Sequence, residues 1–464
     1  EMVGAYCAEV RKRIRGGAKR FVITCAQNNT GAHTKFLQSL ETYCEVNDAI
    51  LLVRPVSYKN ISLYTASQEY KKWWAKAVQP YLVNEEITLG PNVTLSNVPI
   101  AATAANPLEG LNDVGGRKWQ IMGHPQMAME PVPTPGDKLP KRIYTTGAVT
   151  RKNYSDTKAG RKAEWHHVMG ALVVEFSGKH CFVRQVNTAG DGSFYDLDAL
   201  YTPDGYTVGH AATALTTGDE HVKFNLRGVR KATYDAPDSI AKALRPEFIM
   251  RHDIFDAYAI SHHHEKMPLV GYAKHINGDN CARAELDQVV DFLNDTTPEE
   301  STNVLVDSNH HDHLQQWLDR ADANKDHLNA LLISELQHAQ RVAIAGGEDC
   351  RPLPMYLRER VLAKMLYLDR NEPFVIADVD YSQHGDKGAN GSRGSARGLS
   401  RSTYKMVIGH SHSARICKGV YQVGTSTGRL EYEAGLSDHT NTHCIQYASG
   451  KRTLVDIFSG KWRA

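Results

Sequence analysis

The stretch Thr213-Ala-Leu-Thr-Thr-Gly-Asp-Glu-His221 passes from small and β-branched residues into a polar Gly-Asp-x-His. A short apolar run closed by glycine reads as a buried strand reaching its end. Four more stretches follow it. Phe248-Ile-Met-Arg-His-Asp253-Ile-Phe-Asp256 ends in Asp-x-x-Asp, and Asn303-Val-Leu-Val-Asp-Ser-Asn309-His310-His311-Asp312 ends in Ser-Asn-His. Phe374-Val-Ile-Ala377 leads within a few residues to Gln383-His384-Gly385, and Met406-Val-Ile-Gly-His410-Ser-His412 ends in Gly-His-x-His. Open α/β sheets gather the carboxyl ends of their strands at one crevice. Residues i and i+2 of a strand face the same side, so Asp219 with His221, and His410 with His412, can each reach one site. The pooled donors are carboxylate oxygen, imidazole nitrogen and an amide oxygen. That set suits Mn, Fe or Zn better than calcium, which takes oxygen alone. Any one motif is weak, since Asp-x-His is an ordinary strand end or helix cap. A purely structural reading must explain all five separately.

Upstream, Arg20-Phe-Val-Ile-Thr-Cys-Ala26 reads as a buried strand, with helical spacing of Phe36, Leu37, Leu40 and Tyr43 after it and a second buried run at Ala49–Val53. This is a βαβ-like unit of a mostly parallel sheet. Between them, Gln27 to Thr30 sit where a strand passes into a helix, a place that can bind an anion, though ordinary Asn and Thr caps are the expected reading. From about residue 80 to 210 short alternating runs dominate. Ala171–Phe176 and His180–Arg184, joined through Ser-Gly-Lys, predict a hairpin. Pro131-Val-Pro-Thr-Pro-Gly-Asp137 reads as a rigid surface connector. Helices are expected at about 280–295, 311–322, 325–343 and 355–367, and no internal repeat is evident. The expected division is an N-terminal α/β unit over 1–80, a β-rich accessory region over 81–209, and the motif-bearing domain over 210–464.

Apolar residues make up 41% and charged residues 23% of 464, a folded composition. No apolar stretch is long enough for a membrane span. The net charge of +2 excludes a uniformly basic surface, so any polyanion site must be a local patch. Eight scattered cysteines without CxxC spacing fit free thiols in a reducing cytoplasm and argue against a cysteine-built zinc site. The first residue is Glu1, as expected of part of a longer chain.

The order of the five motifs resembles the calcineurin-like metallophosphoesterase superfamily, with its D-x-H, GD, GNH, H and GHxH, over residues 210–430. His252 and Ser308 stand where that pattern has glycine. The resemblance implies a four-layer αββα sandwich, with the N-terminal α/β unit and the hairpin-rich region added to it. It implies two divalent ions. Asp219, His221, Asp253 and His412 would hold one, and Asp253 would bridge to a second held by Asn309, His384 and His410. His310 would be the catalytic residue that protonates the leaving oxygen or stabilises the charge building on it. Within the superfamily, Ala-Gln-Asn-Asn-Thr, Arg-His-Asp-Ile-Phe-Asp, Ser-Asn-His-His-Asp and Gln-His-Gly-Asp-Lys-Gly-Ala-Asn-Gly are similar to a phage-associated branch, the pre-early DNA-transfer proteins of the T-five group. That likeness implies a manganese-dependent DNase in the infected bacterial cytoplasm, with Zn or Fe as alternative metals.

The Gly-rich run after His384 carries Lys387, Arg393, Arg397 and Arg401, with no acid after Asp386. Its flexible amides and cations suit a phosphate backbone. A solvated flexible loop is the bland alternative. His263, in the run His262–His264, is a further substrate candidate. Candidate partners are DNA, a second copy of the chain, and a phage or host protein. Two other functions compete: a phosphatase or small-nucleotide phosphodiesterase using the same metals, and a non-catalytic DNA-binding or assembly protein with a relic site.

Overall fold

A computed structural model describes residues 2–64, 69–135 and 138–464. The fold is mixed α/β. In the first part of the chain lie β1 (Arg20–Gln27), β2 (Ile50–Val56), β3 (Ile87–Gly90), β4 (Val93–Leu95), β5 (Trp119–Met122), β6 (Met129–Val132), β7 (Lys141–Thr145), β8 (Gly170–Ser177) and β9 (His180–Asn187). A small meander follows, β10 (Phe194–Asp196), β11 (Ala199–Thr202) and β12 (Gly205–Thr207). The remainder holds β13 (Ala214–Thr216), β14 (Phe248–Arg251), β15 (Thr302–Leu305), β16 (Met365–Tyr367), β17 (Val375–Ile376), β18 (Val379–Asp380), β19 (Lys405–Ile408), β20 (Arg415–Cys417), β21 (Val420–Gln422), β22 (Thr442–Gln446) and β23 (Arg452–Asp456).

Strands β16-β15-β14-β13-β22-β23 form one sheet and β2-β1-β8-β9 another, while β17-β18-β19-β21-β20-β6-β7-β5-β4-β3 form a long third. The first two meet edge to edge. The Gln185 amide oxygen of β9 accepts from Leu454 N at 2.8 Å and from the Thr453 hydroxyl at 3.1 Å, and Gln185 N donates to that hydroxyl. One apolar core joins this composite layer to the long sheet, from Phe21, Ile23 and Leu172 through Ile121 and Tyr144 to Met250, Val304, Val407 and Tyr421. On the outer face, Leu286, Val289 and Leu293 of the helix Ala282–Thr296 pack with Leu314, Leu332 and Leu353 of three further helices. Their spacing of three to four residues puts them on one stripe, which burial against the sheet holds in place.

The arrangement repeats itself, contrary to the expectation of no internal repeat. In the first half β1 is parallel to β2 and antiparallel to β8, which pairs antiparallel with β9. In the second half β13, β14, β22 and β23 pair in the same order and senses. In the long sheet β3-β4-β5-β7-β6 matches β17-β18-β19-β21-β20, again pair for pair in direction. Backbone bonds agree as well. Cys25 N donates to Gly147 O and Val149 N to Cys25 O, just as Asp219 N donates to Gly424 O and Ser426 N to Asp219 O. Equivalent strands meet where the halves join, β6 with β20 in the ladder and β9 with β23 through Gln185. The second half adds β15, β16 and their helices.

Other expectations need adjusting. The helix expected over 355–367 is Pro352–Arg358, after which the chain turns and pairs β16 with β15. Residues 374–377 are not a buried strand: β17 lies at the sheet edge with Val375 exposed, and β18 is the strand that leads to His384. Met129–Val132 belongs to β6, so the Pro131 connector begins inside a strand, and residues 136 and 137 lie outside the described residues. The helix Thr34–Asn47 is capped by the His33 ring, which accepts from Phe36 N, and not by Asn28 to Thr30. All eight cysteines are free thiols. Among the described residues no helix is long and apolar enough to cross a membrane.

Arg142 of β7 crosses the core to Asp456 of β23, fully buried, with its guanidinium over the rings of Trp119 at 4.9 Å and Phe458 at 5.4 Å. It joins one half to the other. Arg142→Met leaves the Asp456 carboxylate buried without its cation, and should lower unfolding stability by about 3–5 kcal/mol. Urea unfolding reads this, and Asp456→Leu added to Arg142→Met should restore part of the loss.

Candidate metal centre

The carboxyl ends of β13, β14, β15 and β19 converge. Asp219, His221, Asp253 and His412, all buried, offer ligand atoms within 4.8 Å of one another. The Nε2 atoms of His221 and His412 lie 3.1 Å apart, and His412 Nε2 is 3.3 Å from Asp219 Oδ2. His384 Nε2 is 3.0 Å from Asp253 Oδ2. The Asp219 Oδ1, Asp253 Oδ1 and Asn309 Oδ1 atoms are buried without a hydrogen-bond partner. Buried oxygens are rarely left so unless another group, such as an ion, meets them. This donor set fits divalent transition ions, and the residues expected for the first ion are brought together in full. Around the second position Asp253 and His384 converge, and Asn309, at the start of the helix Asn309–Leu318, keeps its Oδ1 buried and unpartnered. His410 stands beside His384 with ring centroids 5.4 Å apart.

Backbone conformation aims these side chains. His221, Asp253, His410 and His412 have φ of 34°, 44°, 75° and 55°. Left-handed conformations at non-glycine residues cost of order 1–3 kcal/mol each and persist where surrounding structure imposes them. Gly409 is required for a different reason: a Cβ there would sit 2.2 Å from Asp219 Oδ1. Beneath the site, Glu220 points away from its neighbours to Arg251 at 2.9 Å. Arg251 also donates to Asn303 at 2.8 Å and Thr296 at 3.1 Å, which fixes β13, β14 and β15 relative to one another.

The motif pattern assigns no role to Asp256 or Glu433, yet both belong to the site. Asp256 Oδ1 accepts from His221 Nδ1 at 2.7 Å, and Glu433 Oε1 accepts from His412 Nδ1 at 2.5 Å. Each carboxylate fixes the ring so that Nε2 faces the site, the usual partner of a metal-binding histidine. His252, to which the motif pattern gives no ligand role, joins Asp219 and His384 in a second group of ligand atoms, its Nδ1 3.0 Å from His384 Nδ1. His310 Nδ1 donates to Asp256 O at 2.8 Å, which leaves Nε2 for chemistry, and its ring lies 4.7 Å from that of His221. His313 lies 5.2 Å from it and His262 5.1 Å beyond His313, with the His263 ring tilted against His262 at 3.9 Å. His263 thus ends a row of imidazoles.

The Gly-rich run is anchored by an arginine that lies outside every motif. Arg370 pairs with Asp386 at 2.7 Å and with Asp307 and Asp312 at 3.2 Å. Lys387, 3.9 Å from Asp312, and Arg393 are exposed at a small bridge between them. Arg397 is carried away from the cluster by a short helix on β20 and β21, and pairs with Glu109 at 2.9 Å. Arg401 is exposed beyond that helix.

Charge governs protonation here. Burial works to raise the Asp219 and Asp253 carboxyls, but the adjacent imidazoles, His384 foremost, outweigh it and hold both below the usual range. Burial disfavours a charged His384, yet Asp253 and Asp219 bring it up to about 9. His412, against the same burial, is raised to about 10 by Asp219 and Glu433. Both values lie above 6.5, so without metal these ion pairs stabilise fully below that pH and lose their contribution as pH climbs through about 9 to 10. Ligation needs both rings neutral. Manganese binding should therefore release protons and tighten as pH rises from neutrality toward 9. Titration calorimetry in two buffers of different ionisation enthalpy checks this; uptake without proton release would contradict it. Asp256→Asn or Glu433→Gln should weaken metal binding by about 10–100-fold, read by the same calorimetry.

No protein-family model matches the chain, and no solved structure matches it. Protein A1 of Escherichia phage T5 is 34% identical over 471 aligned residues, covering 96% of this chain and 83% of that protein. At that identity across nearly all of its length, the chain belongs to the family of the phage T5 Protein A1.

Proposed function

We propose that residues 210–464 are a calcineurin-like metallophosphoesterase unit and that the protein is a two-metal phosphodiesterase that cuts DNA. The observation that carries this reading is the buried group Asp219, His221, Asp253 and His412 with both imidazoles oriented by carboxylates. Two sheets around one core, with helices outside the motif-bearing sheet, correspond to three of the four layers that the resemblance implies and support this reading. Membership of a phage protein family supports a role in the infected cell, and we place the enzyme in the host bacterial cytoplasm, acting on host DNA early in infection.

Bound divalent ions, Mn²⁺ by the resemblance, would lower the pKa of a water and neutralise charge on the phosphate. The chain's own residues do the rest. Asp253 Oδ2, 3.7 Å from His221 Nε2 and 3.0 Å from His384 Nε2, faces ligands of both proposed ions. Asp256 and Glu433 keep the Nε2 atoms of His221 and His412 directed inward. His310, tethered through Nδ1 to Asp256 O, presents Nε2 where a leaving oxygen would gain its proton.

Wild type should cut linear and circular duplex DNA only with Mn²⁺, and Asp253→Asn should not cut. His310→Ala should keep its metals and lose about 10²–10⁴-fold in turnover. Hydrolysis of bis-p-nitrophenyl phosphate without DNA cleavage would move the substrate to a small phosphodiester. Full activity in Asp253→Asn would sink the two-metal mechanism.

A further inference from the structure

The matched halves allow residue-by-residue comparison of their strand ends. Strand pairing and shared backbone bonds set Cys25 where the second half has Asp219, Gln27 where it has His221, and Pro55 where it has Asp253. Gly123-His124-Pro125-Gln126 stands where Gly409-His410-Ser411-His412 does. Gly123 repeats the constraint of Gly409, since a Cβ there would strike Arg54 at 2.3 Å. The carboxylates are gone. The surviving histidine is spent: His124 Nε2 is 3.1 Å from Ala101 O, and its Nδ1 accepts from Gln126 N at 3.0 Å. Amide hydrogen bonds fill the rest. Asn153 N donates to Gln27 Oε1, Gln27 Nε2 to Asn153 O, and Asn28 bonds Tyr58 and Tyr70.

The surface above this cleft has its own character. Two segments leave the carboxyl ends of β2 and β7, the end at which the second half holds its ligands. They are tied together by Asn60 to Tyr154 O at 2.8 Å, Tyr58 to Ser155 at 2.7 Å and Asp156 N to Ser62 at 2.8 Å. Described residues 57–64 and 69–76, with 151–167, hold nine Lys and Arg against three acids, whereas the whole chain carries only +2. Lys71 and Arg161 have acidic neighbours. Lys59, Lys72, Arg151, Lys152, Lys158 and Lys162 have none within ion-pair distance among the described residues, and all are exposed. Trp73 and Trp165, 49% and 73% exposed, stand among them. A fold has little reason to expose two indoles within a concentration of unpaired cations, but bases stack on such rings while the cations hold phosphates.

We propose that the first half is a metal-free counterpart of the catalytic half, and that its former cleft face is a platform that holds DNA. It rests on the proposed function only in taking DNA as substrate. The platform supplies a local basic surface on a chain that is near neutral as a whole.

Two sets of substitutions test it, Lys59→Glu with Lys72→Glu, Arg151→Glu and Lys152→Glu, and separately Lys158→Glu with Lys162→Glu. Binding of a fluorescein-labelled DNA duplex is measured by anisotropy in EDTA, and hydrolysis of bis-p-nitrophenyl phosphate in Mn²⁺. Each set should weaken DNA binding at least about tenfold, and the first should flatten the salt dependence by about 3–4 units of slope. Diester hydrolysis should be unchanged. Undiminished DNA affinity in either set overturns the proposal. Metal analysis tests the silent cleft: wild type should hold two Mn²⁺, and ions retained by Asp219→Asn with Asp253→Asn would place metal in the first half and overturn it. DNA held but never cut would sink the nuclease reading alone; cutting that ignores both sets would sink the platform alone.

Discussion

Two carboxylates, Asp219 and Asp253, are buried within one another's field, and the rest of the site answers that constraint. Buried carboxylates without compensating positive charge are costly. Here histidines crowd them, and without metal His384 and His412 hold protons above neutrality. The same rings, oriented by Asp256 and Glu433, become ligands once those protons leave. The cluster is thus built for cations, either protons or divalent ions. Left-handed backbone at four of its residues is maintained by the Arg251–Glu220 network below and by the close approach of Gly409 above.

The first half shows what this fold does without that charge. With Cys25, Gln27 and Pro55 at the ligand positions, the cleft closes on amide hydrogen bonds and needs no cation. Its strands pair as their counterparts do, so pairing and the shared core carry the architecture, and the metal-binding residues are a load placed upon it. The halves meet through equivalent strands and through Arg142 and Asp456, as two subunits of a symmetric dimer would. The second half differs by β15, β16 and their helices, which bring His310 to the site.

The five motifs are legible in the sequence because a metal demands particular donor types at strand ends. Spacing pairs Asp219 with His221 and His410 with His412, and the superfamily resemblance is what groups Asp219, His221, Asp253 and His412. Asp256 lies within a motif, yet nothing in its spacing marks it as the partner of His221. Glu433 lies in an irregular segment whose approach to His412 depends on tertiary folding. Arg370 is hidden likewise, since its three acidic partners come from two segments, Asp307 and Asp312 from one and Asp386 from another. The repeat is hard to read because the halves share pairing geometry more than residue identity, with Ser177-Gly-Lys179 and Ser449-Gly-Lys451 among the few literal echoes. Arg397 is misleading: its place in a basic run suggests phosphate, while a short helix turns it toward Glu109.

The most direct test of the two-metal site is crystallography of the Mn²⁺-loaded protein at a wavelength where manganese scatters anomalously. Two peaks about 3.5–4 Å apart are predicted, one among Asp219, His221, Asp253 and His412 and the other against Asp253, Asn309, His384 and His410. A cluster without manganese, or ions bound away from Asp253, would contradict the assignment.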